Sequence, residues 1–227
     1  MALKYTWYGH GTHGLETGGH KILVDPFFTG NPAASTTADA VQCDFILVSH
    51  GHGDHIADAE AVAKRTGAMA ISNFEIANWL GEKGVQTHGQ HIGGGFNHPF
   101  GYLKLTQAIH GSCLPDGSDG GMPAGFLLTT KDGEKVYLSC DTGLFAGMQL
   151  IGDEGIDLAV LPIGDNFTMG PDDALRAVKL LHPKHVIPTH YDTWGLIAQD
   201  ANAWAARVNA ETSAKAHVLK PGGSFEI

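Results

Sequence analysis

The chain has 227 residues and a formal net charge of −10, from 14 Lys and Arg against 24 Asp and Glu. That balance argues against a broad phosphate-binding surface, and so against nucleic acid as a partner. A hydrophobic fraction of 43% with 17% charged residues describes a globular protein able to bury a substantial core. The 14 histidines equal all the lysines and arginines together, which favours metal chemistry over charge steering. No run reaches the roughly 18 apolar residues of a membrane span, and the opening residues carry no apolar signal segment. The expectation is a cytoplasmic protein with no membrane partner. Cys43, Cys113 and Cys140 are odd in number and widely spaced, so no disulfide framework is expected.

Residues 4–8, Lys-Tyr-Thr-Trp-Tyr, read as a first strand ending in Gly9-His10-Gly11. A second strand over 21–24 follows the Gly18-Gly19 turn and stops at Asp25-Pro26, so 6–24 reads as a hairpin-like unit with His10 near one end. Residues 29–40 are Pro-, Ala- and Thr-rich and read as a loop. The apolar run at 45–49 has the pattern of a strand covered on both faces. Asp58 is placed to cap a helix running to about Thr66. A strand over 68–72 and a helix over 74–83, stopped by Gly84, continue an alternation that points to α/β layering.

Residues 86–99 hold His88, His91 and His98 around three glycines, and 102–109 reads as a strand ending at His110. The segment 111–123, rich in Pro and Gly, is expected to be mobile. Strands at 126–130 and 135–139 form a hairpin through Asp132-Gly133. Residues 158–162 read as a buried strand. Gly170-Pro171-Asp172-Asp173 is a helix start with Pro first and acids in the first turn. A strand at 185–188 precedes Thr189-His190, and a last helix is expected over 198–210. Strand–helix character recurs in the two halves with no interdomain linker. The reading is one domain, 1–227, of two sheets sandwiched between helices.

The chemistry concentrates in Ser49-His50-Gly51-His52-Gly53-Asp54-His55, directly after the strand at 45–49. Three imidazoles and a carboxylate there offer four potential metal ligands, with Gly51 and Gly53 expected to supply backbone freedom. His110, Asp141 and His190 each follow a further strand. Strand ends at one edge of a sandwich can converge, and two imidazole groups bridged by a carboxylate suit a two-metal hydrolytic site. Asp54, His10 and Asp165 are the candidate catalytic residues. His10 is read at the cleft as a substrate or supporting group, with a buried core histidine as the alternative. Asp165 holds a ligand histidine or shapes the pocket, with a cap for the helix at Pro171 as the alternative.

These motifs resemble the metallo-β-lactamase superfamily: His-Gly-His-Gly-Asp-His at His50 to His55, His110, Cys-Asp-Thr-Gly around Asp141 and Thr-His-Tyr around His190. Within it the chain is most similar to a group of metal-dependent hydrolases related to L-ascorbate-6-phosphate lactonase. That closer likeness rests on Tyr8-Gly9-His10, Asp25-Pro26-Phe27, Asp141 to Phe145, Pro162 to Gly170 and Ile187 to Tyr191. The resemblance implies an α/β (α+β) fold, a four-layer αββα sandwich with the site at the sheet edges. It implies His50, His52 and His110 as ligands of a first metal, Asp54, His55 and His190 of a second, and Asp141 as bridge. Two positions depart from the family pattern. Cys140 stands where Gly is usual, and His13 where an apolar residue is usual. Both are read as packed side chains, with a Cys140 thiol touching the metal site as the alternative.

The expected function is a metal-dependent hydrolase in which two divalent cations, Zn or Mn (with Fe or Ni open), activate water against a small ester, lactone or similar small-molecule substrate. The alternatives are a phosphodiesterase acting on a lipid-like or nucleotide substrate and a non-catalytic metal-binding protein. A homo-oligomer is compatible with the sequence.

Overall fold

The computed structural model describes residues 3–227; Met1 and Ala2, within the expected domain, lie outside it. Strand β1 (Lys4–Gly9) pairs antiparallel with β2 (Thr12–Thr17), and β2 with β3 (His20–Val24). The expected hairpin is therefore a three-stranded meander. Its middle strand, with Thr12, Gly14 and Thr17 breaking the apolar pattern, lacks a clear period in sequence.

From β3 the sheet turns parallel through β4 (Phe45–Leu47), β5 (Met69–Asn73) and β6 (Thr87–Gln90). The second sheet repeats the scheme. Strands β7 (Gly95–His98), β8 (Gly101–Gln107), β9 (Ala124–Thr130) and β10 (Lys135–Leu138) are antiparallel neighbours. Then β11 (Leu158–Pro162), β12 (His185–Thr189) and β13 (Lys215–Ala216) continue parallel. A final strand, β14 (Ser224–Glu226), returns beside β1 in the first sheet. Each sheet thus has seven strands.

Between the sheets lie Tyr5, Trp7, Leu15, Val24 and Leu47 from one and Leu105, Phe126, Leu128, Val160 and Ile187 from the other, all buried. The fully buried runs of β4 and β11 are as expected for strands covered on both faces. A short helix α1 (Gly53–Ile56) follows the histidine motif, and α2 (Ala59–Thr66) and α3 (Phe74–Glu82) cover the outer face of the first sheet through Val62, Ile76 and Leu80. After the short α4 (Met148–Gly152), α5 (Pro171–Leu181) and α6 (Ala201–Glu211) cover the second through Val178, Leu181, Trp204 and Val208. This is the αββα sandwich. No helix among the described residues is long and apolar enough to cross a membrane.

Several local expectations change. Asp58 precedes α2 but makes no capping bond; its carboxylate accepts from the Phe28 and Thr29 amides and the Thr29 hydroxyl, which pins the loop after β3. The last helix starts at Ala201, later than expected, because Asp200 caps it by accepting from Ala203 N–H at 2.9 Å, after a 3-10 turn Gly195–Ile197. The segment 111–123 is tied down. Asn73 donates to the Gly120 and Met122 carbonyls, the Ser112 hydroxyl accepts from Gly51 N–H, and Cys113 bridges to Asp119.

Candidate metal centre

The candidate ligands, and the residues that hold them, all sit at strand ends on one edge of the sandwich. His10 follows β1, Asp25 β3, His50 β4, His110 β8, Asp141 β10 and His190 β12. At four of these ends a non-glycine residue turns left-handed: His10 (φ 53°), Asp25 (φ 48°), Cys140 (φ 51°) and His190 (φ 54°). Such conformations are uncommon and persist only where the surroundings enforce them. Here they bend the chain off each strand toward a common point. The His190 amide donates to the His10 carbonyl at 3.1 Å, which joins the two sheets there.

Neither Gly51 nor Gly53 has positive φ, and only Gly51 acts by its small size. A Cβ on Gly51 would lie 3.0 Å from the Cys113 carbonyl oxygen, whereas one on Gly53 would meet nothing and would project into open space. Gly11 is equally constrained: its Cβ would reach 2.7 Å from the His55 ring.

Two clusters result. His50 Nε2 and His110 Nε2 lie 3.1 and 3.2 Å from His52 Nδ1. Asp54, His55, His190 and His10 form the second group, with ligand atoms within 4.8 Å of one another. Between them Asp141 Oδ2 lies 3.2 Å from His55 Nε2, 3.1 Å from His190 Nε2 and 3.6 Å from His110 Nε2.

Asp25, which in sequence does no more than stop a strand, fixes how two of the imidazoles are turned. Asp25 accepts from Ser49 N–H at 2.7 Å, from the Ser49 hydroxyl at 2.6 Å and from His55 Nδ1–H at 2.9 Å. The Ser49 oxygen is then free to accept from His50 Nδ1–H at 2.9 Å. Both imidazoles therefore turn Nε2 into the cluster, the arrangement by which outer carboxylates orient metal-binding histidines. His10 is held similarly. The Thr193 hydroxyl donates to Nδ1 at 2.8 Å and Nε2–H donates to Asp54 Oδ2 at 3.0 Å. Asp25 and Thr193 were findable only as polar residues beside strand ends, a signal shared by many others.

The electrostatics differ across the cluster. Burial, and then the charge of His55, holds His50 well below its ordinary value; burial lowers His110 too. Burial and His190 lower His10 to about 4. For His55 and His190 burial works in the same direction but loses to the carboxylates: Asp141 and Asp25 hold His55 well above the ordinary value, and Asp141 and Asp54 raise His190 to about 9. Burial would raise Asp141, yet His190 and His55 keep it well below the usual carboxylate range.

The donor set fits divalent cations. His55 Nε2 and both nitrogens of His190 are buried without a hydrogen-bond partner, although both Nε2 atoms lie close to Asp141. Buried polar atoms of that kind require a partner, and a cation lodged among these imidazoles and carboxylates would satisfy the two Nε2 atoms.

Asp165 is not part of the cluster. It sits exposed in a tight turn, where its Oδ1 accepts from Asn166 N–H at 2.9 Å. It makes no side-chain cap to α5, whose N-cap is Gly170. Cys140 and His13 are packed side chains. The Cys140 sulfur approaches the Leu138 carbonyl at 3.8 Å, and burial followed by the Asp25 charge raises its pKa. His13 shares a hydrogen bond of 2.9 Å with the Tyr5 hydroxyl, and burial lowers it to about 3.

The cluster floors a cleft of about 650 Å³, walled by Phe167, Trp194 and Leu196. A cavity of about 720 Å³ beside Trp7, Tyr191 and Lys220 carries none of the proposed ligands.

Comparison with known proteins agrees with this geometry. The β-lactamase superfamily domain family matches residues 20–191. A UPF0173 metal-dependent hydrolase of Heliobacterium modesticaldum is 48% identical over 99% of this chain and 98% of its own. The chain belongs to this family of metal-dependent hydrolases. A Thermus thermophilus member is 46% identical over 97% of both chains. The solved structure of a metallo hydrolase from the hyperthermophilic archaeon Ignicoccus hospitalis is 38% identical and superposes with a TM-score of 0.92, covering 100% of this chain and 99% of that one. The metallo-β-lactamase fold protein YhfI of Bacillus subtilis, 17% identical over 100% of both chains at a TM-score of 0.76, shares the fold. The hydrolase thus has the αββα sandwich of the metallo-β-lactamase fold, with the histidine motif at its open edge.

Proposed function

We propose that this hydrolase, acting as one domain over 1–227, cleaves a small ester or lactone with two divalent cations, Zn or Mn, bound at the strand ends. His50, His52 and His110 would hold one, Asp54, His55 and His190 the other, with Asp141 between them. The observation that carries this reading is the single Asp141 oxygen within 3.6 Å of imidazoles from both groups. Imidazoles mixed with carboxylates suit these metals. Bound there, the cations supply an acidified water and polarise the substrate's carbonyl.

The chain's own residues do the rest. Asp54, whose side chain is 29% exposed against 4% for Asp141, faces the cleft and orients the attacking water. His10 is engaged at both nitrogens, so it acts as a positioning residue that fixes the Asp54 carboxylate. Water oxygen bonds to the carbonyl carbon, the ester C–O bond breaks, and the departing alkoxide takes the proton that the attacking water gives up, leaving acid and alcohol.

The test is a panel of chromogenic esters, lactones and phosphodiesters run before and after chelation, with elemental analysis of the protein. The expected result is turnover of an ester or lactone that chelation abolishes and Zn or Mn restores. Full turnover by protein with no bound metal would overturn the reading, as would turnover of phosphodiesters alone.

A further inference from the structure

The walls of the cleft are as informative as its floor. Phe167, Trp194 and Leu196 are large apolar side chains left 52%, 40% and 72% exposed, and all three line the same opening. Isolated exposed apolar residues mean little, but three gathered at the mouth of one site mark a binding surface.

Their presentation is built into the strand ends that carry the ligands. Phe167 stands on the turn after β11, where Asp165 (φ 61°) and Asn166 (φ 52°) are both left-handed, and the turn closes when Met169 N–H donates to the Thr142 carbonyl beside Asp141. Trp194 and Leu196 follow His190 on the loop after β12. That loop is anchored by buried Ile197, by Asp192 N–H donating to the Ile197 carbonyl and by Gln199 N–H donating to Asp192 Oδ1. The Trp194 ring meets His10 edge-on, with centroids 4.8 Å apart, so it is fixed against the ligand group. Anchors on each loop point inward while Phe167 and Leu196 point out.

Charge complements this shape. Among the described residues no Lys or Arg lines the cleft, and its carboxylates and imidazoles are those assigned to the cations. A phosphate or sulfate group on the substrate would find no guanidinium or ammonium partner there.

We infer that the site takes uncharged substrates, esters or lactones whose apolar acyl chain lies on Phe167, Trp194 and Leu196. This rests on the proposed hydrolytic reading and adds the substrate class to it.

Two measurements test it. The first compares kcat/KM for p-nitrophenyl acetate, butyrate and octanoate, with phosphorylated esters alongside, in the metal-supplemented protein. The octanoate-to-acetate ratio is expected to reach about tenfold or more, since each buried methylene favours the longer chain. Leu196→Asp and Phe167→Ser should each cut that ratio at least fivefold. A ratio near one, a ratio unmoved by either variant, or a preference for the phosphorylated ester overturns the inference. The second follows binding of 2-decanone, an uncleavable neutral analogue, by tryptophan fluorescence against 2-butanone, with Trp194→Phe to assign the signal. Tighter binding of the longer ketone, weakened at least fivefold by Leu196→Asp, supports the apolar seat even if no ester is turned over. In that case the hydrolytic reading fails and the seat stands. Equal binding of both ketones overturns the seat itself.

Discussion

The two ligand groups use the same imidazole chemistry in opposite settings. His50, His52 and His110 have no carboxylate of their own, and burial depresses His50 and His110. His55 and His190 lie among Asp25, Asp54 and Asp141, whose charges outweigh burial and raise both. The second group therefore concentrates negative charge in a buried place, where protons stand in for a cation and must leave when one binds. The first faces Asp141 through His110, with Asp25 reaching His50 through Ser49. On the proposed two-cation reading the positions would be unequal, the carboxylate-rich one holding its cation more tightly.

The largest effect should come from removing the shared element. Asp141→Asn is expected to lower kcat/KM by about 10³-fold or more, because its Oδ2 lies within 3.6 Å of Nε2 atoms from both groups, and to reduce bound metal to at most one ion per chain by elemental analysis. A variant that kept two ions and wild-type turnover would end the bridged reading. The inequality itself is tested next by His110→Ala against His190→Ala. The first should retain one ion per chain through dialysis, while the second should lose the tightly held ion. Equal metal content in the two would make the groups equivalent.

Asp25→Asn should act on both groups at once, because the carboxylate holds His55 directly and His50 through Ser49. Metal affinity is expected to fall by about 10- to 100-fold. The melting temperature of the metal-free protein should fall as well, since a buried acceptor of three hydrogen bonds is impaired, at a cost of about 1–3 kcal/mol. Unchanged affinity in a competition titration with a chelator would leave Asp25 a purely structural residue.

The smallest effect lies away from the cluster. Burial, then neighbouring His88, lowers His98 to about 4, and its Nε2–H donates to Gln90 Oε1 at 3.0 Å. The folded state binds this proton more weakly than the unfolded chain. Its contribution to stability is therefore complete above the ordinary histidine value of 6.5 and is lost as pH falls from there through about 4. His98→Gln should flatten that part of the stability-against-pH curve in urea titrations; an unchanged slope would show that His98 does not titrate differently on folding.

Much of the centre was legible in the chain. The histidine motif after an apolar strand, and single His or Asp residues after the other strands, pointed to His10, His50, His52, Asp54, His55, His110, Asp141 and His190, which lie together at the edge. Two sheets flanked by helices, with the Pro171 helix start, also followed from pattern. Asp25 was not legible as more than a strand stop, because its partner His55 is 30 residues away and only parallel pairing of β3 with β4 brings them together. Thr193 lies 183 residues from His10. Asp165 was misleading because a carboxylate after a strand looks alike whether it faces a cleft or closes its own turn.

Sequence alone determined the ligand types, the strand and helix periods and the apolar content, because these are encoded within a few residues of each other. Only the tertiary structure decided which strand ends meet, which way His10, Asp25, Cys140 and His190 bend the chain, and that Phe167, Trp194 and Leu196 share one opening. Those outcomes depend on strand order and on contacts between distant segments, for which no local pattern exists.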